Sequence, residues 1–257
     1  MSRTRRTTPA PLPTDHYFMR SRQPLHSLML LLPFIIVYEL GAFWYANEAI
    51  GRRLAARAWV QRFFEMFGAA GEYLPGLAVV VVLVTLHFTQ RRRWRFQPGL
   101  YLAMAAESLA LAAPLLLFSR LTGPPAAALA ASVSEAGGVG TPVGSWQAWM
   151  IFSLGAGLYE ELVFRMFLIA AVHFLLVDLL RVAHRNGATA AVLTSALLFA
   201  LAHFHKDNPF NTPAFAFYFI SGFYFALIYL LRGFGIVVAT HAFYDICAVA
   251  WEHGLLR

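Results

Sequence analysis

The chain has 257 residues, of which 59% are hydrophobic and only 13% are charged, and its formal net charge at pH 7 is +7. Soluble domains are about 45–50% apolar and about 25% charged, so this composition excludes an ordinary soluble domain and indicates a membrane protein. The excess positive charge is therefore attributed to loops facing anionic lipid and not to nucleic-acid binding. With Cys247 as the single cysteine, an intrachain disulfide is excluded.

The first 25 residues are polar and rich in arginine and proline, which predicts a flexible, basic, cytoplasmic tail. No small-residue cleavage site follows the first apolar run, so that run is predicted to be a retained transmembrane helix. Further apolar runs predict an all-α polytopic membrane protein with about seven spans, within a range of six to eight. The predicted spans are 27–46, 74–89, 99–118, 146–180, 188–204, 212–231 and 234–252.

A segment rich in Gly, Pro, Ala and Ser at 119–145 separates three predicted spans from four. We therefore divide the chain into the tail at 1–25, scaffold helices and loops at 26–145, and a four-span core at 146–252. Arginine clusters at alternate ends of the spans predict a cytoplasmic N-terminus. The segment 48–73 carries four arginines on the opposite face, which predicts either a surface amphipathic helix or a miscounted span.

Two adjacent glutamates, Glu160 and Glu161, lie inside the fourth predicted span, and Arg165 follows them. A charged side chain at the centre of a bilayer costs about 2.5–3.5 kcal/mol on insertion scales. Each of these three residues therefore needs a neighbouring partner or a function that offsets this cost. Glu161 and Arg165 are four residues apart on one helix face and are predicted to form an ion pair. Glu160 is rotated about 100° away, which makes it the candidate general acid or base.

Polar residues also interrupt the fifth and seventh predicted spans. His203 follows Phe199 by four residues, and His241 and Asp245 are likewise four residues apart. A single histidine in an apolar helix is more often a hydrogen-bonded packing residue than a catalytic one. Polar groups at membrane depth face the interior of a bundle, however, so side chains on three spans should converge there.

Two other carboxylates, Glu39 and Glu107, lie at apparent membrane depth in the first and third predicted spans. They are interpreted as residues that line a cavity or contact a partner helix.

Three motifs in a fixed order resemble the signature of the CAAX protease and bacteriocin-processing family, the Rce1-like (Abi) intramembrane proteases. The motifs are Glu160-Glu161-x-x-x-Arg165, Phe199-x-x-x-His203 and His241-x-x-x-Asp245. The resemblance covers about 146–250. The prenyl-protein branch usually has asparagine at the position of Asp245, and a carboxylate only accepts hydrogen bonds where an amide also donates.

The resemblance implies hydrolysis of a peptide bond within or beside the membrane, with 146–252 as the catalytic core. It implies that Glu160 and His203 activate a water molecule, and that His241 and Asp245 stabilise the oxyanion.

The same resemblance implies structural support of the site by Glu161, Arg165 and Phe199.

A zinc site is the alternative to a mechanism based on glutamate alone. Glu160, His203 and His241 would make an open tetrahedral site. The chain has no His-Glu-x-x-His motif, so we favour no metal and predict no cofactor.

Two other classes of function remain open: an immunity or scaffold protein of the same fold, and a proton-coupled transporter. A transporter is expected to have related halves, and the sequence shows none. The predicted partners of a protease are a membrane-associated protein or peptide substrate and the lipid bilayer. The composition favours a bacterial inner membrane, and no feature indicates a prenyl pocket, a particular substrate or an oligomeric state.

Overall fold

The computed structural model describes residues 13–44, 74–91, 94–122, 146–204 and 209–252. Within these residues the regular structure is entirely helical and consists of eight helices. They are α1 (Pro13–Ser21), α2 (Pro24–Trp44), α3 (Leu74–Thr89), α4 (Pro98–Thr122), α5 (146–179), α6 (His184–Ala202), α7 (Thr212–Arg232) and α8 (Phe234–Glu252).

Six of these helices, α2 and α4 to α8, are long and apolar enough to cross a membrane. The remaining apolar helix, α3, has 16 residues and is shorter than the roughly 20 that a perpendicular span needs. All seven coincide with the predicted spans to within a few residues, because each is a long apolar run bounded by polar residues. The prediction of an all-α polytopic membrane protein is confirmed.

The predicted flexible tail at 1–25 needs a correction in its second half. Pro13–Ser21 form α1, and Pro24 begins α2. The hydroxyl of Tyr17 donates a hydrogen bond to the carboxylate of Glu107 on α4, which fixes α1 against the bundle. The predictions for 1–12, for the arginine-rich segment 48–73 and for most of the loop 119–145 fall outside the described residues.

Helix α8 is the centre of the bundle. It packs against α2, α4, α5 and α7, and 78% of its span is buried, compared with 22% of the span of α4. A methyl group added to Gly157 of α5 would lie 2.9 Å from backbone atoms of Val238 and Ala242, so glycine allows α5 and α8 to approach closely. This close approach places the two glutamates of α5 beside α8.

Helix α5 changes its winding where the site begins. Trp146–Glu161 is α-helical, Leu162–Leu168 is a π-helix, and Ile169–His173 returns to α-helix before a second π segment at Phe174–Leu179. The π-helix widens the turn, and such segments are often found at functional sites. The carbonyl of Phe164 inside it accepts a hydrogen bond of 2.8 Å from the hydroxyl of Ser195 on α6. The altered winding is thereby tied to a neighbouring helix.

Candidate active site

Glu161 is the centre of the buried part of the site. Its Oε1 atom lies 3.1 Å from Nη1 of Arg165 and 2.7 Å from Nδ1 of His241. Nη2 of Arg165 also donates to the carbonyl of Gly222 on α7, at 3.2 Å. The predicted pair of Glu161 and Arg165 is therefore present, with both side chains 0% exposed, and it joins α5 to α7 and α8.

Aromatic rings surround the buried charges. The guanidinium carbon of Arg165 lies 4.2 Å from the ring centroid of Phe199 and 5.5 Å from that of Phe225. The ring of Phe225 also stacks on His241, with centroids 4.5 Å apart and an interplanar angle of 18°. Cation–π contact stabilises a cation that has left water, so Phe199 and Phe225 support this ion pair inside the membrane.

Glu160 has different surroundings from its neighbour. Its side chain is 17% exposed, whereas that of Glu161 is fully buried. Its Oε2 atom lies 4.0 Å from Nε2 of His241 and has no hydrogen-bond partner among the described residues. Oδ2 of Asp245 lies 3.6 Å from the same nitrogen, so Nε2 of His241 faces two carboxylates.

His203 is held by two aromatic residues. Its ring stacks on Tyr218 at a centroid distance of 3.9 Å and an angle of 20°, and it meets the ring of Phe199 at 4.7 Å. Its Nδ1 atom lies 2.8 Å from the carbonyl oxygen of Phe199. A carbonyl only accepts, so Nδ1 carries the hydrogen, and in the neutral ring Nε2 carries the lone pair.

The structure brings together all the residues that the three motifs supplied. The carboxylate of Glu160 is near enough to His203 to interact electrostatically with it. Phe199 lies between His203 on α6 and the buried charges of α5 and α8. Its ring contacts His203 and Arg165, and its centroid lies 6.1 Å from that of the His241 ring.

Tyr218 is the residue beside the site that sequence reasoning missed. It is buried, and its ring stacks on that of His203. Helix α7 contains many aromatic residues, and nothing in its sequence distinguishes Tyr218 from the others.

The two other intramembrane carboxylates make contacts between helices outside the site. Oε1 of Glu39 accepts a hydrogen bond of 2.8 Å from the hydroxyl of Tyr159, which joins α2 to α5. Glu107 on α4 pairs with Arg232 at the end of α7, where Nη2 of Arg232 lies 2.8 Å from Oε2 of Glu107. Of the two interpretations, a cavity lining or a contact with a partner helix, both residues show the helix contact.

Among the residues that the structure describes, no three His, Cys, Asp or Glu side chains form a group arranged to hold a metal ion. The Nδ1 atoms of His203 and His241 both contact protein acceptors, the carbonyl oxygen of Phe199 and the carboxylate of Glu161.

The chain is an integral membrane protein with a polar site inside its helical bundle. The carboxylates and histidines of this site come from three spans, α5, α6 and α8. Residues 142–247 match the family model described as type II CAAX prenyl endopeptidase Rce1-like. The match contains every motif residue of the site. The family supports a CAAX-type intramembrane protease kind of function. No curated protein and no solved structure matches the chain.

Proposed function

We propose that the chain is an intramembrane endopeptidase in which Glu160 and His203 activate water and His241 and Asp245 stabilise the oxyanion. The main support for this proposal is that the two adjacent glutamates differ in burial and in their contacts. Glu161 is fully buried, ion-paired with Arg165 and hydrogen-bonded to His241, whereas Glu160 is partly exposed and its Oε2 atom has no hydrogen-bond partner among the described residues.

A water molecule between Glu160 and His203 has two acceptors for its two hydrogens. One is the carboxylate of Glu160, and the other is the lone pair on Nε2 of His203, because Nδ1 donates its hydrogen to the carbonyl of Phe199. A lone pair of the water oxygen can then point toward the carbonyl carbon of the substrate. Glu160 takes a proton from the water as the new carbon–oxygen bond forms.

The oxyanion that develops needs a donor on the other side of the carbonyl. Nε2 of His241 points into the site, 4.0 Å from Oε2 of Glu160, while its Nδ1 is held by Glu161. In its protonated form the imidazole donates from both nitrogens, and Asp245, 3.6 Å from Nε2, orients the ring. Collapse of the intermediate breaks the carbon–nitrogen bond, and the proton held by Glu160 passes to the leaving amine.

We further propose that these steps need no metal and no cofactor. If zinc were bound, Glu160, His203 and His241 would be its ligands, and the metal would polarise the carbonyl and activate the water. The proposed substrate is a membrane-associated protein or peptide, and the proposed location is a bacterial inner membrane.

The direct test uses the full chain purified in detergent and a set of peptides with apolar C-terminal segments. The set includes a CAAX peptide with and without a farnesyl group, and the products are read by mass spectrometry. Cleavage that Glu160→Gln abolishes, with unchanged peptide binding, would support the proposal. Equal cleavage by wild type and Glu160→Gln would overturn it.

A further inference from the structure

Two buried histidines outside the candidate active site lie where α2 begins and α3 ends. Glu39 near the end of α2 lies beside Gly76 near the start of α3, and the two helices pack against each other, so they run antiparallel. From this contact His26 is thirteen residues back along α2, and His87 is eleven residues onward along α3. At a rise of about 1.5 Å per residue these separations are about 20 Å and about 16 Å, so both histidines lie at the same end of the helix pair.

His87 is buried without a hydrogen-bond partner. Its side chain is 2% exposed, and neither Nδ1 nor Nε2 has a partner among the residues that the structure describes. A buried polar group of this kind calls for a water molecule, an ion or a ligand. The ring of Trp94 packs edge-on against His87 at a centroid distance of 4.6 Å and is itself 56% exposed. The imidazole is therefore one side chain away from the surface.

The groups around His87 favour an anion over a cation. His26 is also buried, and its Nδ1 atom lies 3.3 Å from the hydroxyl of Tyr101. Arg20 on α1 donates to the side chain of Gln97 at 3.2 Å, and the backbone N–H of Gln97 donates to the same hydroxyl at 3.3 Å. Arg20 and His87 are both near enough to His26 to interact electrostatically with it. An arginine beside two histidines repels a metal ion and attracts an anion.

The chain segments that carry the two histidines contain no acid. The sequence has no aspartate or glutamate in 24–38 or in 73–106. Glu107, the acid that follows the second segment, is paired with Arg232. The connection between α3 and α4 instead adds positive charge with the exposed Arg95. Neither segment therefore supplies a carboxylate that competes with a bound anion.

The position of the two histidines indicates the level of the lipid headgroups. His26 is the third residue of α2, and His87 is the third residue from the end of α3. The connection that follows α3 carries the exposed Trp94 and Phe96, and Phe96 lies 5.2 Å from Tyr101 between ring centroids. Exposed aromatic residues at span ends are typical of the membrane interface. A site with aromatic surroundings at this level favours the phosphate of a lipid over a soluble anion.

We propose that His26, His87 and Arg20 form a binding site for the phosphate group of an anionic phospholipid. The phosphate oxygens accept hydrogen bonds from the two imidazoles and from the guanidinium, and Trp94 turns aside so that the phosphate reaches His87. The bound lipid joins α1, α2, α3 and the start of α4, which carry the site. This inference goes beyond the proposed function and does not depend on it.

Lipid titration of the full chain tests the class of ligand. The unfolding temperature in a non-ionic detergent is measured with phosphatidylglycerol, phosphatidylcholine or inorganic phosphate. A ligand that binds the folded state raises this temperature. Phosphatidylglycerol should raise it, whereas phosphatidylcholine, which has no net charge, and inorganic phosphate should have little effect. An equal effect of either one would overturn the assignment to an anionic lipid.

His87→Leu separates a lipid site from a packing role. Because His87 has no partner among the described residues, the variant should be at least as stable as wild type when no lipid is added. Its apparent affinity for phosphatidylglycerol should fall by about tenfold, as expected for a lost hydrogen bond to a charged group. An unchanged response to the lipid would mean that water satisfies His87, and it would overturn the proposal.

Arg20→Gln and Arg185→Gln are a matched pair of variants. Each removes one positive charge near a helix end, and Arg185 is exposed at the start of α6, which is not part of the site. Native mass spectrometry of the purified chain measures the lipid that stays bound. Arg20→Gln should lose phosphatidylglycerol, whereas Arg185→Gln should retain it like wild type. Equal loss in both variants would show that net charge alone attracts the lipid, and equal retention would show that Arg20 does not bind it; either result would overturn the site.

Discussion

Nδ1 of His241 lies 2.7 Å from Oε1 of Glu161, although the two residues are 80 positions apart in the chain. The same oxygen lies 3.1 Å from Nη1 of Arg165. One carboxylate therefore fixes the ring of His241 and balances the charge of a buried arginine. These contacts occupy one oxygen of Glu161 and hold its side chain fully buried, whereas Glu160 is partly exposed, which is why we assign the proton transfer to Glu160.

Glu160→Gln is expected to abolish turnover without affecting the fold. The amide has nearly the same size as the carboxylate but cannot take a proton from water. Since Glu160 is partly exposed and accepts no hydrogen bond from the described residues, little stability depends on its charge. The measurement pairs a cleavage assay with thermal unfolding in detergent. A large fall in unfolding temperature would contradict this assignment.

Glu161→Ala and Arg165→Ala are expected to lower stability, by about 3–5 kcal/mol each, because each removes the oppositely charged partner of a fully buried side chain. Thermal unfolding and the yield of folded protein measure this effect. Glu161→Ala should also reduce activity, since it frees Nδ1 of His241. If Glu161→Ala unfolded at the wild-type temperature yet lost all activity, the roles of the two glutamates would be reversed.

Tyr218→Phe is expected to keep most of the activity, because the ring that stacks on His203 remains. Tyr218→Leu fills much of the same space without a ring. It should lower kcat/KM by about two- to tenfold, equivalent to the 0.5–1.5 kcal/mol of an aromatic pair. Steady-state kinetics well below the unfolding temperature separate the two variants. Equal activity of both would show that stacking does not position His203.

The proposed mechanism predicts activity without metal. Purified protein should contain no stoichiometric zinc by elemental analysis, and it should stay active in a strong chelator. Asp245→Asn should retain part of the activity, since asparagine keeps an acceptor oxygen facing Nε2 of His241. Stoichiometric zinc, whose removal stops turnover and whose return restores it, would establish the metal mechanism instead.

Tyr17→Phe is expected to destabilise the fold by up to about 3 kcal/mol, because it removes a hydrogen bond to a carboxylate. Burial, followed by the bond to Glu107, raises the pKa of the Tyr17 hydroxyl above its usual value of 10.0. Its contribution to stability is therefore complete below about pH 10 and is lost as the pH rises further. Unfolding of wild type and variant at pH 7 and pH 9 should give the same difference.

The positions of the spans could be predicted because each is a long apolar run, and the pair of Glu161 and Arg165 because it lies within one helix. The contact of Glu161 with His241 could not be predicted, since it depends on how α5 packs on α8 at Gly157. The π-helix at Leu162–Leu168 was not predicted either, because no residue type in this segment specifies π-helical winding. Tyr218 could not be distinguished in sequence from the other aromatic residues of α7, because its position beside His203 depends on how α6 and α7 pack.

The central position of α8 has a consequence for biosynthesis. The ribosome makes α8 after the helices that surround it, so α5 enters the membrane before His241 exists. During that interval Glu161 has only Arg165 as a partner. Glu160 does not yet have His241 beside it. In the proposed mechanism the newly made chain therefore has no complete active site until α8 has packed into the bundle.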